Sequence, residues 1–293
     1  MNLKKIIDNT LRFLAASAGV FMLQQSQALA CSTSAWDDSN KGSVVDAVNA
    51  ARYDGDCGLR LNLNGTSNGW LRDPSPGSAN PAVTEYVARF YTYVDDAQLA
   101  NGQGFTIFNA LDSGSNELFG LELKGSPNGP VLHLYTATKE ATSDVSVPTG
   151  WRAIILHWTT GSNGALTLSI DNDQNVQTIS SLANGGQSIH SVNLGVVDGN
   201  NASISGIVDL DSFASRRTGT AGLLISKSCS GTSPTVENAT FLGPLSCTAS
   251  GLLTFGNRVT FDPQADLTIV AGAVAMNPGM AIPVGAILDI TIQ

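Results

Sequence analysis

The sequence predicts an all-β protein: a β-sandwich or jelly roll, followed by a small C-terminal unit of short strands. Three observations predict it. From Leu59 onward, apolar and polar residues alternate with period two in many short runs, the mark of strands with one buried face. Clusters of Gly, Asn, Ser, Thr and Pro separate these runs, with Gly alone at 30 of 293 positions, so turns recur too often for long helices. Helical spacing is confined to one short stretch before Cys57.

The first thirty residues read as a signal peptide. Lys4, Lys5 and Arg12 give a positive start, Phe13 to Leu23 an apolar stretch, and Ala28-Leu29-Ala30 a small-residue cleavage pattern. The apolar stretch is too short to span a bilayer. The mature chain is expected to begin at Cys31, with no transmembrane segment, and to be secreted, periplasmic or held at the cell surface. Removing the signal's net +2 (Lys4, Lys5 and Arg12 against Asp8) takes the formal charge from −9 to −11. Such acidity excludes nucleic acid as a partner, because phosphates demand Lys and Arg.

Residues 31–57 form an N-terminal segment. Ser43-Val44-Val45-Asp46 resembles a capping box, and Val44, Val45, Val48 and Ala51 are spaced for one short helix. Residues 58–218 form the sandwich. Its strand signals are Leu59 to Leu63, Tyr86 to Val94, Phe105 to Leu111, Leu118 to Leu123, Val131 to Thr136, Trp151 to Trp158, Leu166 to Ile170, Val192 to Val196, and Val208 with Leu210. Residues 219–251 read as a disulfide loop and linker. Residues 252–293 read as short strands at near-regular spacing: Val259 to Phe261, Leu267 to Val270, Ala273 to Met276, Ile282 to Val284 and Ile287 to Ile292, punctuated by Gly272, Gly279 and Gly285. This weak internal repeat predicts a small β-solenoid or stacked β unit.

Cysteine use fits an oxidising compartment. Four cysteines allow three connectivities. The local pairing, Cys31 with Cys57 and Cys229 with Cys247, is the simplest because each pair brackets its own loop.

The stretch from Cys57 to Arg217 resembles the laminin-G-like, concanavalin-A-like jelly rolls of bacterial exported proteins. GLRLNLNGTSNGWLRDPSP (58–76) resembles that family's first strands, and VARFYTY (87–93) is the most characteristic stretch. GWRAIILHW (150–158) with GALTLSID (164–171) resembles its central hairpin, and VDLDSFASRR (208–217) its closing strand. The order and spacing of these pieces are more specific than any one of them. The last forty residues are similar to a C-terminal stacked "coathanger" β unit of bacterial surface proteins, with Pro278-Gly279 and Gly285-Ala286 in place and Met280 where an aromatic is usual. The resemblance implies a fold that hosts lectin-like binders, adhesion modules, glycoside hydrolases and polysaccharide lyases.

Catalytic motifs are weak. Asp209 and Asp211 share one strand face, roughly 7 Å apart, which suits a carboxylate pair. Jelly-roll hydrolases place three acids as Glu-x-Asp-x-x-Glu, and here the first is Asp and the third is Ala214. Gln187 and His190 resemble a lyase Gln-Ile-His with one residue inserted, which in a strand would turn them to opposite faces. His133 and His157 fall on different expected strands. No phosphate-binding loop occurs in the sequence. No catalytic residue is assigned.

The laminin-G-like resemblance implies Ca²⁺ at a sandwich rim. Acids fall in expected loops at Asp95, Asp96, Asp171, Asp173 and Asp198, and Asp171 with Asp173 are the best metal candidates because SIDNDQN gathers several oxygen side chains. Of the aromatics, Tyr86, Tyr91, Tyr93, Trp151 and Trp158 are expected in the core. Trp70, in a Gly/Asn-rich context, is the candidate for an exposed ligand-binding ring. The expected function is a non-catalytic binding or adhesion module for a glycan or cell-surface protein. A structural surface protein without a small ligand, and a carbohydrate-active jelly-roll enzyme, are the alternatives.

Overall fold

The computed structural model describes residues 31–53, 57–78, 83–138, 142–171, 174–219, 229–237, 239–241, 244–257, 259–261, 265–278 and 280–293. The expected signal peptide and Asp173 lie outside them. In chain order the strands are β1 (Val45–Val48), β2 (Gly58–Leu63), β3 (Gly69–Asp73), β4 (Glu85–Tyr93), β5 (Ala97–Leu99), β6 (Gly104–Leu111), β7 (Glu117–Ser126), β8 (Gly129–Thr136), β9 (Val145–Ser146) and β10 (Trp151–Thr159). They continue as β11 (Gly164–Ile170), β12 (Gln174–Leu182), β13 (Ser191–Asp198), β14 (Ile204–Arg216), β15 (Thr235–Val236), β16 (Ala239–Phe241), β17 (Pro244–Phe255), β18 (Val259–Phe261), β19 (Asp266–Met276) and β20 (Ile287–Ile292).

The protein is an all-β jelly-roll sandwich. One antiparallel sheet runs β1-β2-β14-β4-β10-β11-β12, with β5 also on β14, and the other runs β3-β13-β6-β7-β8-β9. The alternation read from the sequence is the packing: in β11, Leu166, Leu168 and Ile170 are fully buried while the intervening residues are half-exposed. Phe90, Phe108 and Phe119 stack in series through the middle of the core, with ring centroids 6.1 Å apart at each step. Such rings bury more apolar area than any other side chains and fix the spacing of the two layers.

A second apolar cluster lies in the C-terminal region. There β15-β17-β19-β20 form a parallel sheet and β16-β18 a parallel pair, and Phe241, Phe255 and Phe261 pack ring on ring between them. Both disulfides pair locally, Cys31 with Cys57 and Cys229 with Cys247.

Four elements differ from the sequence reading. The expected helix at Val44 to Ala51 is β1 followed by a single 3₁₀ turn, Asn49–Ala51. Val is a poor helix former, and the edge of β2 offers Val45 to Val48 a full register against Leu61 to Gly58. Gly272 does not interrupt a strand: Leu267 to Met276 lie in the single strand β19, and a Cβ at Gly272 would stand 3.1 Å from the Ser250 carbonyl oxygen. That glycine permits close approach to the bulge in β17 rather than a turn. The stretch read as a disulfide loop holds most of β17, with Cys247 facing the second core. Ile282 to Val284 form no strand: Pro283 to Ala286 make a turn, closed by the Ala286 N–H donating to the Pro283 carbonyl, with Gly285 at φ 105°.

Candidate functional site

Strand β14 builds the site through a bulge. Its register on β4 runs Asp209 to Tyr93 and Asp211 to Tyr91, then resumes with Ala214 opposite Arg89, so one extra residue is inserted. Ser212 takes φ 52° to accommodate it. A bulge of this kind re-aims the side chains beside it. Here Phe213 meets Trp36 with ring centroids 4.8 Å apart.

Trp36 is held from the other side by the N-terminal segment. Its N–H donates to the Thr33 carbonyl, and the next residue, Asp37, exchanges two backbone hydrogen bonds with Arg72 on β3. The Thr33 hydroxyl donates to Asp38 at 2.6 Å, and Lys41 pairs with Asp38 at 3.2 Å. These bonds hold the Asp38 carboxyl below its ordinary range, and hydrogen bonds from Ser39 do the same for Asp37. The Cys31–Cys57 bridge ties the start of this turn to the start of β2.

A cavity lies on each side of the aromatic pair. One, of about 190 Å³, is lined by Ser32, Leu59, Asp211 and Ser212 beside the two rings. The other, of about 290 Å³, is lined by Ala35, Asp73, Ala214 and Ser215. Each is at or below the low end of the roughly 300–1,000 Å³ that encloses a whole small ligand. The pair therefore suits a ligand laid across the rings. Both carboxylates already accept hydrogen bonds, Asp73 from the Ser75 N–H at 2.8 Å and Asp211 from the Tyr53 N–H at 2.6 Å. Asp73 also accepts from the Ser215 hydroxyl at 3.4 Å, and Asp211 from the Ser212 N–H at 2.5 Å.

The outer face of the eight-stranded sheet beside this groove is covered by the chain itself. Tyr53 is buried and stacks on Tyr91 with centroids 3.9 Å apart and planes 11° apart, next to Tyr93 and Trp151. Asp209 is fully buried in this face, and both its oxygens accept from Arg60, at 2.8 and 2.9 Å. A carboxylate so placed holds β2 to β14 and cannot reach a glycosidic bond outside. Asp211 lines the groove while bonding to the Tyr53 N–H.

The remaining sequence candidates are dispersed. Trp70 lies half-buried on β3, opposite Gly195 of β13, and its indole N–H is buried with no hydrogen-bond partner among the described residues. It does not join the Trp36–Phe213 pair. Asp171, at φ 55°, is buried, accepting from the Arg152 guanidinium at 3.0 Å and from the Ala153 N–H at 2.9 Å. The guanidinium stands where a cation would. Asp95 accepts from the Gly150 N–H, and burial raises its carboxyl above the ordinary range. Among the described residues no three His, Cys, Asp or Glu side chains gather as metal ligands. His157 pairs with Glu85 and His133 with Asp144, on opposite sheets. Gln187 and His190 are exposed in a loop.

Trp36 and Phe213 were not singled out from the sequence. The signal for Trp36 was available: it stands alone among small polar and acidic residues in STSAWDDSN, the same kind of context that drew attention to Trp70.

No protein-family model and no curated protein matches the sequence. Among solved structures the chain is similar to a cellulose-induced protein, at 15% identity and a TM-score of 0.46 over 62% of this chain and 91% of that one. It is also similar to an endo-β-1,4-glucuronan lyase from the fungus Trichoderma reesei, at 11% and 0.42 over 61% and 93%. A third is the binding domain of a botulinum neurotoxin in complex with SialylT, at 12% and 0.43 over 63% of this chain and 43% of that one. Likeness at this level carries neither ligand nor chemistry across.

Proposed function

We propose that the protein is an exported, non-catalytic binding module of laminin-G-like type that recognises a glycan through the groove at Trp36 and Phe213. The observation that carries this reading is the half-exposed aromatic pair with a cavity on either side, each bearing one carboxylate and at least one serine. Aromatic faces take the C–H faces of sugar rings, and carboxylate and hydroxyl oxygens take their hydroxyls. Export accords with the two disulfides, which persist in oxidising compartments. Among the described residues no helix is long and apolar enough to cross a membrane. The C-terminal parallel unit is read as a short stacked β-solenoid that serves as a docking or spacing element.

The test is retention of the purified protein on a panel of insoluble and gel-cast polysaccharides, with and without a calcium chelator. Retention on a glycan that survives chelation supports the groove as the site. Retention abolished by chelation moves the site to the rim acids, with calcium at Asp171 and Asp173. Failure to bind any glycan refutes the glycan reading.

A further inference from the structure

We propose that two copies of this chain pair through the free edge of β20, antiparallel about a two-fold axis at Ile290. This goes beyond the glycan reading and does not depend on it. In the C-terminal sheet, β19 sets Leu267, Ile269 and Ala271 in the second core, all fully buried. Strand β20 continues those columns with Leu288, Ile290 and Ile292 in register, and it is the outermost strand of that sheet among the described residues. Ile290 is 38% and Ile292 58% exposed, and Ile282, Val284 and Ile287 around them are also exposed. Stacked units need a polar terminal rung to stay soluble. This rung is apolar, and Asp289 is its one charge. The opposite edge is protected by its shortness, since β15 has two residues.

The sequence of the edge selects the occupant. An antiparallel pair places residues of the same face opposite each other. With the axis at Ile290, Ile290 meets itself, Leu288 meets Ile292 of the second copy, and Asp289 meets Thr291 of the second copy. Leu-Asp-Ile-Thr-Ile is therefore palindromic in chemistry: apolar against apolar on the core face, and carboxylate against hydroxyl on the other. The core columns of the two copies become continuous, and no like charges meet. A two-fold contact closes on itself and stops at a dimer. Two grooves on one dimer would add avidity to weak binding.

Sedimentation equilibrium of the full mature chain tests this, and the expected result is a monomer–dimer equilibrium. The register is tested at Thr291, which is exposed and outside the core. Thr291→Lys creates two symmetric pairs with Asp289 and tightens the dimer about 2- to 30-fold. Thr291→Asp sets carboxylates opposite each other and weakens it by a similar factor. The double variant Asp289→Lys, Thr291→Asp restores it. A protein monomeric up to millimolar concentration, a dimer indifferent to the charge at position 291, or open-ended polymers in place of a dimer would each overturn the proposal.

Discussion

Asp171→Asn isolates one electrostatic contribution cleanly. Asp171 is the residue on which the calcium expectation rested, yet its carboxylate meets a guanidinium in the interior: the side chains of Arg152 and Asp171 are 4% and 1% exposed. Asn tolerates the same left-handed backbone as Asp, and its amide oxygen can still accept the Ala153 N–H, so backbone and shape are kept. What is lost is the charge facing Arg152, whose guanidinium also donates to the Thr149 carbonyl, at 3.0 and 2.7 Å. With both groups buried, solvent does not screen the loss, and breaking such a pair costs about 3–5 kcal/mol. A chain of this length loses about 2–4 °C of Tm per kcal/mol, so the melting point should fall by about 6–20 °C. The assay is thermal unfolding of the wild type and Asp171→Asn, each with and without chelator. The reasoning is refuted if Asp171→Asn melts within 2 °C (about 1 kcal/mol) of wild type, or if the chelator lowers the wild-type melting point as far as the substitution does. The latter outcome would make Asp171 a calcium ligand.

Other outcomes follow from the same geometry. Asp95→Asn should raise stability at neutral pH. The folded carboxyl titrates above the ordinary 3.8, so the unfolded chain ionises first and stability falls as pH rises from there to the raised folded value. Denaturant unfolding across pH 3 to 7 should show the gain vanish at the acid end. Gly58→Ala should cost at least about 1–3 kcal/mol, because a Cβ there would stand 1.9 Å from the Ala51 carbonyl oxygen; urea unfolding measures it. Replacing Cys31 and Cys57 together by Ser should free the start of the Trp36 turn. Glycan affinity should then fall more than the melting temperature of the sandwich, as titration calorimetry and calorimetric melting would show.

How much was legible follows from where period two is strong. Strands with one face in the core, such as β11, could be read directly, because Leu166-x-Leu168-x-Ile170 admits one burial pattern. The local disulfides were legible from spacing. The helix expected at Val44 failed because four residues cannot show a period, and the free edge of β2 decided their conformation. The site was illegible for a different reason. Trp36 and Phe213 are 177 positions apart in the sequence, and their contact depends on a one-residue bulge that no local pattern announces. Asp209 and Asp211 were correctly placed on one face. That Asp209 is sealed against Arg60 while Asp211 lines the groove depends on partners distant in sequence.

The most direct test of the central claim compares Trp36→Ala, Phe213→Ala and Trp70→Ala for affinity toward a glycan that retains the wild type. Removing a stacking ring should lower affinity at least about tenfold for Trp36→Ala, with a smaller loss for Phe213→Ala and none for Trp70→Ala. Undiminished binding by Trp36→Ala, or loss only in Trp70→Ala, would contradict the account and move the site to the outer face of the six-stranded sheet.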